Sequence, residues 1–261
     1  MKRTRKLRRA LSLTLCALAL IAVSVGATIA YLTDKDEVVN TFTVGDVQID
    51  LNETDVDKDN DTKKNEYHLV PGQTFVKDPT VTIKANSEPS YVRIFVTVED
   101  HIDLMKVCEA AGSLNLTEDI YTSRDPAYNG YVNFEKFATG LSAQWEFVGI
   151  SLNRDSGNGT NFCRYEFRYN DTTEKKETDY TLDPLFTGIQ IPGWMTNDMI
   201  KVLSEGYEYY GFEDNAIVIR EVTNTSPHYQ PFAIKIEAQA IQAEGFANAD
   251  AAWAAFKVQN P

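Results

Sequence analysis

Five acidic side chains between residues 55 and 66 have the spacing of a cation loop. Asp55, Asp57, Asp59 and Asp61 fall at positions 1, 3, 5 and 7 of a twelve-residue frame, and Glu66 falls at position 12. A hard cation such as calcium needs that many oxygens, and the closing Glu would bind through both of its own. Asn60 stands at position 6, where the chain must turn through the left-handed region, and Asn tolerates that conformation better than most residues. Three features oppose the cation. Thr62 replaces an aliphatic residue at position 8; Lys58, Lys63 and Lys64 dilute the charge; and no helical pattern flanks the loop. A solvated acidic loop is the preferred reading, with calcium as its competitor.

The other chemistry-bearing residues form no motif. His68, His101 and His228 are the only histidines, each isolated in sequence, and the zinc frame His-Glu-x-x-His is absent. There is no Gly-x-Ser-x-Gly elbow and no phosphate-cradling glycine loop. No catalytic residue is predicted, and no cofactor apart from the calcium alternative. Tyr207-Glu208-Tyr209-Tyr210-Gly211-Phe212 and Trp145-Glu146-Phe147 have the composition of a sugar-stacking platform. Aromatic core and cross-strand pairs account for them as well, and the core is the preferred reading.

The first thirty residues give an address. Six basic residues stand within Met1–Ala10, Leu11–Val25 is an unbroken run of apolar and small residues, and Gly26-Ala27-Thr28-Ile29-Ala30 closes it. That pattern is a cleavable signal peptide over 1–30, cut between Ala30 and Tyr31. A retained membrane anchor is the alternative, since the apolar run is long enough to span a bilayer. Cleavage takes away six basic residues and no acidic ones, so the net charge moves from −13 to −19. Such an acidic surface excludes nucleic acid as a partner, and only an uncleaved leader would hold the chain to a membrane. Of three cysteines, Cys16 leaves with the leader. Cys108 and Cys163 are then a candidate disulfide in an oxidising compartment, or else buried thiols.

The exported 231 residues read mostly with period two. Val92, Ile94, Val96 and Val98 share one face of 91–98, and Phe232, Ile234, Ile236, Ala238 and Ala240 share one face of 232–240. Further strands are predicted over Phe42–Leu51, Thr74–Lys84, Gln144–Leu152, Phe162–Tyr169 and Ala216–Val222. A bulge or a hairpin-like bend is predicted at Gly45, a turn at Pro71-Gly72, and a hairpin loop over Asn153–Asn161. Short helices are expected over Ile102–Ala111, Thr196–Ser204 and Asn248–Phe256. The sum is an all-β chain of antiparallel sheets with short peripheral helices, forming one domain over 31–261. Within it, 31–40 is expected to be a flexible N-terminal segment and 112–140 an insertion.

The chain also carries a family likeness. Ala27-Thr28-Ile29-Ala30-Tyr31-Leu32-Thr33-Asp34, followed by Asn40-Thr41-Phe42-Thr43-Val44-Gly45-Asp46-Val47-Gln48-Ile49-Asp50-Leu51, resembles the start of exported proteins cut by the SipW-type signal peptidase. That group includes TasA and camelysin (CalY), fibre-forming matrix proteins of monoderm bacteria. Leu69-Val70-Pro71-Gly72-Gln73, Lys77-Asp78-Pro79, Leu185-Phe186, Ile191-Pro192 and the stretch Ile236–Phe246 with Ala252-Trp253 are similar too. The resemblance implies a jelly-roll-like β-sandwich, secreted to the cell surface or extracellular matrix. It implies filaments in which the mature N-terminal segment of one subunit enters the sheet of the next. It also implies the SipW-type peptidase and related matrix proteins as partners. Two other readings stay open at this point: a surface adhesin or carbohydrate-binding module, and a camelysin-like metalloprotease.

Overall fold

The computed structural model describes residues 33–36, 47–58, 60–63, 65–113, 121–122, 131–132, 134–153, 161–204, 207–213, 216–221 and 232–259. The leader, its cleavage pair Ala30 and Tyr31, Gly45, and the tip of the 153–161 loop lie outside them. The chain is mostly antiparallel β-sheet with a few short helices. Among the described residues, no helix is long and apolar enough to cross a membrane.

The largest sheet has five strands, β1 (Thr33–Asp36), β5 (Ser90–Glu99), β9 (Trp145–Asn153), β10 (Phe162–Tyr169) and β15 (Ala233–Gln242), in the order β1-β15-β5-β10-β9. A three-stranded sheet joins β2 (Ile49–Asn52), β4 (Thr80–Ile83) and β11 (Tyr180–Thr181). Another joins β3 (Thr74–Val76), β8 (Ala138–Thr139) and β12 (Gly188–Gln190). Two small pairs complete the sheets: β6 (Tyr121–Thr122) with β7 (Tyr131–Val132), and β13 (Tyr207–Glu213) with β14 (Ala216–Glu221). The helices are α1 (His101–Ser113), α2 (Asn197–Ser204) and α3 (Ala249–Gln259).

The alternation seen in sequence orients these strands. Val92, Ile94, Val96 and Val98 of β5 are buried in one apolar cluster with Val81 and Ile83 of β4 and Ile49 of β2. Leu104, Val107 and Cys108 of α1 and Met199 and Leu203 of α2 enter the same cluster. Each such aliphatic side chain removed from water contributes about 2 kcal/mol. The turn at Pro71-Gly72 has Gly72 at φ +77°, and Gln73 N–H donates to Val70 O at 3.1 Å, as a type II turn requires. The expected cap at Thr196 forms, its Oγ1 accepting from Met199 N–H at 3.3 Å, and a further cap forms at Asn248, whose Oδ1 accepts from Ala251 N–H at 2.9 Å.

Four boundaries differ from the expectation. The single strand over Thr74–Lys84 is two strands, β3 and β4, in different sheets. Pro79 at the break has no N–H for a ladder, and Lys77 is buried there against Glu53 at 2.8 Å. Residues 134–140, the last part of the expected insertion over 112–140, reach the main core: Phe134 and Phe137 are buried in it, and β8 pairs with β12. The α1 helix runs through Gly112 to Ser113 instead of stopping at it. Within 31–40, the segment expected to be flexible, Thr33–Asp36 pairs with β15 as an edge strand.

Candidate functional site

The edge at β15 is where the chain's own N-terminal segment meets the sheet. Thr33 pairs with Ile241, Asp34 with Ala240, Lys35 with Gln239 and Asp36 with Ala238. An edge strand presents unpaired N–H and C=O groups, and any extended segment can satisfy them. All four positions opposite this short strand are buried, Ala238, Ala240 and Ile241 fully and Gln239 nearly so, whereas the strand itself is the polar Thr33-Asp34-Lys35-Asp36. The pairing therefore rests on backbone hydrogen bonds more than on side-chain anchoring.

Beneath α3, the face of the same sheet turned away from the main core is held by charge and aromatics. Arg93 on β5 is buried, yet its guanidinium lies 4.1 Å from the Trp253 ring centre, 4.7 Å from Phe95 and 5.2 Å from Phe256. The Arg164 guanidinium on β10 lies 4.4 Å from the Phe95 ring centre, so Phe95 contacts two cations. Arg93 also donates to Gln239 Oε1 on β15, from Nε at 3.0 Å and Nη2 at 2.6 Å, and its Nη1 stands 3.4 Å from Glu166. Burial pulls the Arg93 guanidinium below its ordinary pKa, and the charge of Glu166 opposes that shift. Arg164 bonds Glu237, and Arg168 joins Glu166 at 2.8 Å to Asp250 on α3 at 2.6 Å. This network fixes β15, and hence its free side for β1, to the centre of the sheet.

A second buried polar group marks the end of β5. Asp100 takes φ +53° between β5 and α1. Asn161 Oδ1 accepts the Ile102 N–H at 2.8 Å, capping α1 from a distant part of the chain, while Asn161 Nδ2 faces Asp100 Oδ1 at 3.4 Å. Burial, reinforced by Asp103, pushes the Asp100 carboxyl up to about 8, against the opposing pull of Asn161 and Lys106. His101 is buried next to it in sequence.

The acidic loop turns its carboxylates onto its own backbone. Asp55 accepts from Lys58 N–H at 2.7 Å and from Asn60 N–H at 3.0 Å. Asp57 accepts from Glu66 N–H at 2.9 Å, and Asp61 from Lys63 N–H at 2.8 Å. Asn60 does take the left-handed conformation, at φ +70°, and Lys58 joins it at +62°. Asp59 lies outside the described residues. Among the described residues, no three His, Cys, Asp or Glu side chains converge as a metal site would require.

The remaining candidates are placed as follows. Cys108 on α1 and Cys163 on β10 are buried thiols and are not joined in a disulfide, which corrects the pairing in favour of the thiol alternative. Both thiols fill core positions on separate elements, and burial pushes Cys108 up to about 12, so it stays protonated and inert. His68 is exposed and His101 buried, while His228 lies outside the described residues. Trp145 is buried, with its Nε1 donating to Asp183 O at 2.9 Å, so it offers no open face to a sugar. Phe147, 38% exposed, leans on Phe167 at 5.5 Å. The side chains of 207–213 lie outside the description. An apolar cavity of about 20 Å³ beside Leu104, Phe134 and Leu203 has room for about one water molecule but no polar lining to hold it.

Compared with protein-family models, with curated proteins and with solved structures, the chain matches none. The functional reading therefore rests on the residues themselves. Sequence reasoning missed Arg93 and Asp100. Arg93 itself carries no signal, since Arg is ordinary on the polar face of a strand, although Tyr91 and Phe95 flank it on that face and Trp253 and Phe256 lie one helical turn apart. No signal marks Asp100 either, because its partner Asn161 is distant in sequence.

Proposed function

We propose that this chain is an exported structural subunit of a bacterial cell surface or biofilm matrix, built as a jelly-roll-like sandwich and joined to its neighbours by strand exchange at β15. The observation that carries this reading is the pairing of Thr33–Asp36 on that edge. The segment directly after the expected cleavage point is the one that fills the edge. Its four-residue, highly polar strand gives few side-chain anchors, so release and replacement by the same segment of a neighbour exchange equivalent bonds. A SipW-type peptidase would free the segment between Ala30 and Tyr31, coupling assembly to export. The family likeness of the N-terminal residues supports the same reading, as does the strongly acidic charge, which keeps unassembled subunits apart. The role assigned is structural, with no catalytic residue.

Electron microscopy of the purified exported protein tests this. Filaments are expected from the full exported chain and not from one lacking residues 31–40. Adding a peptide of that sequence should occupy the edge and block growth of the intact chain. Filaments of unchanged length and number after the deletion reject the exchange.

A further inference from the structure

The opposite edge of the large sheet carries a separate property. β9 is an end strand: among the described residues no strand pairs with its outer side, and the Trp145 N–H at its start donates to Ser142 O at 3.2 Å. Edge strands are ordinarily protected by Lys, Pro, short length, a bulge or a covering element, and of these β9 carries a bulge. β9 has nine residues, no Lys and no Pro, and one charge, Glu146. Phe147 and Val148 are 38% and 43% exposed on it. In a chain of net charge −13, a long edge with a single charge is a place where two copies can approach without acidic repulsion.

The irregularity in β9 makes the strand complementary to itself. Phe167 opposes Phe147 and Glu166 opposes Gly149, so Val148 is an extra residue in a bulge. Trp145 and Phe147 face the core side before the bulge, and Ile150 and Leu152 face it after. A bulge of this kind reverses the parity of the strand. Two copies related by a twofold axis can then match core side to core side only in registers whose paired residue numbers sum to an odd value. The longest such match places the axis between Val148 and Gly149. It sets Trp145 against Leu152 of the second copy, Phe147 against Ile150, Glu146 against Ser151, and Val148 against Gly149. Every apolar position meets an apolar position, and each Glu146 meets a hydroxyl and not another acid.

We infer that β9 is a homotypic pairing edge, at which a second copy of this chain adds antiparallel across a twofold axis and continues the five-stranded sheet into a ten-stranded one. This goes beyond strand exchange at β15 and does not depend on it, since it uses the other edge of the sheet. A subunit with both properties would grow along one direction through β15 and link sideways through β9.

Sedimentation velocity on the purified protein tests the edge. Ser151 is exposed, so Ser151→Glu leaves the fold in place while setting two pairs of acids face to face across the axis. The dimer is expected to weaken by about tenfold. Adding Glu146→Lys to the same chain turns both clashes into opposite-charge pairs and should restore it. Deleting 31–40 should leave this dimer intact, which separates its fate from that of the filaments. Hydrogen exchange on the unaltered chain gives a second readout: amides within 145–152 should gain protection as protein concentration rises. A protein that stays monomeric, an association indifferent to Ser151→Glu, a weakened dimer that Glu146→Lys fails to restore, or protection that does not change with concentration would each overturn the inference.

Discussion

The two faces of β5 are both buried, by opposite means. One presents Val92, Ile94, Val96 and Val98 to a continuous apolar core. The other presents Arg93 and Phe95 to Trp253, Phe256 and a ring of charges. The apolar face is held by area removed from water, which is additive and tolerant of direction. The charged face is held by pairings that each need a partner in the right place, because an unpaired buried charge is strongly unfavourable. The comparison teaches that the central strand has a tolerant side and a demanding side. The demanding side is the one that ties β15, and so the proposed exchange edge, to α3.

The largest expected effect lies where β5 runs into α1. Asp100 is raised to about 8 from an ordinary value of 3.8. Between those limits the folded chain holds a proton that the unfolded chain has lost, so stability is greatest below about pH 4 and falls as pH rises to about 8. The fall is on the order of 5 kcal/mol from this group. Asp100→Asn keeps an acceptor for Asn161 and does not titrate, so urea melts across that range should lose this slope. A slope of the same size in the variant would assign it to other groups, of which Asp103, Lys106 and His101 stand nearest in sequence.

Arg93→Ala should destabilise by about 4 kcal/mol, because it removes both donors from the buried Gln239 Oε1, leaves Glu166 with Arg168 alone, and empties the centre of the aromatic stack. Arg93→Met, which keeps the packing volume without the charge, should recover part of that loss. If the two variants melt alike in urea, the pairing and not the packing dominates the demanding face. On the tolerant face, Ile94→Ala should lower stability by about 3 kcal/mol through a cavity, leaving the α3 contacts unaltered by near-ultraviolet circular dichroism of Trp253. The smallest effect belongs to Asp250→Asn. Asp250 is 86% exposed, so its bond to Arg168 is worth below about 0.5 kcal/mol, and thermal melts should barely move.

The tolerant face was legible in sequence and the demanding one was not. Alternation of Val and Ile over β5 declares a strand and the face it buries, because side chains of one strand project with period two. The Thr196 cap was equally legible, since it acts within three residues of itself. Arg93 reads as an ordinary solvent-facing residue until α3 arrives, 160 residues later, to cover it. The break at Lys77-Asp78-Pro79 was half visible: Pro79 hinted at it, but the buried Glu53 that receives Lys77 lies 24 residues away. The acidic loop shows the limit from the other side. Its carboxylate spacing is that of a cation frame, yet the carboxylates of Asp55, Asp57 and Asp61 accept backbone N–H groups of their own loop.

What the sequence alone settled is local and periodic: an antiparallel, β-rich chain, its main strands, the Pro71-Gly72 turn, and the helices over 197–204 and 249–259. Period and cap chemistry act over a few residues, so they are written in order along the chain. Tertiary structure decided the rest: which strand came to lie beside Thr33–Asp36, which strand ended the sheet on the other side, and which face of β5 received Trp253. Those choices depend on which distant surfaces meet, and the free energy of a buried charge or an open edge exists only after they have met.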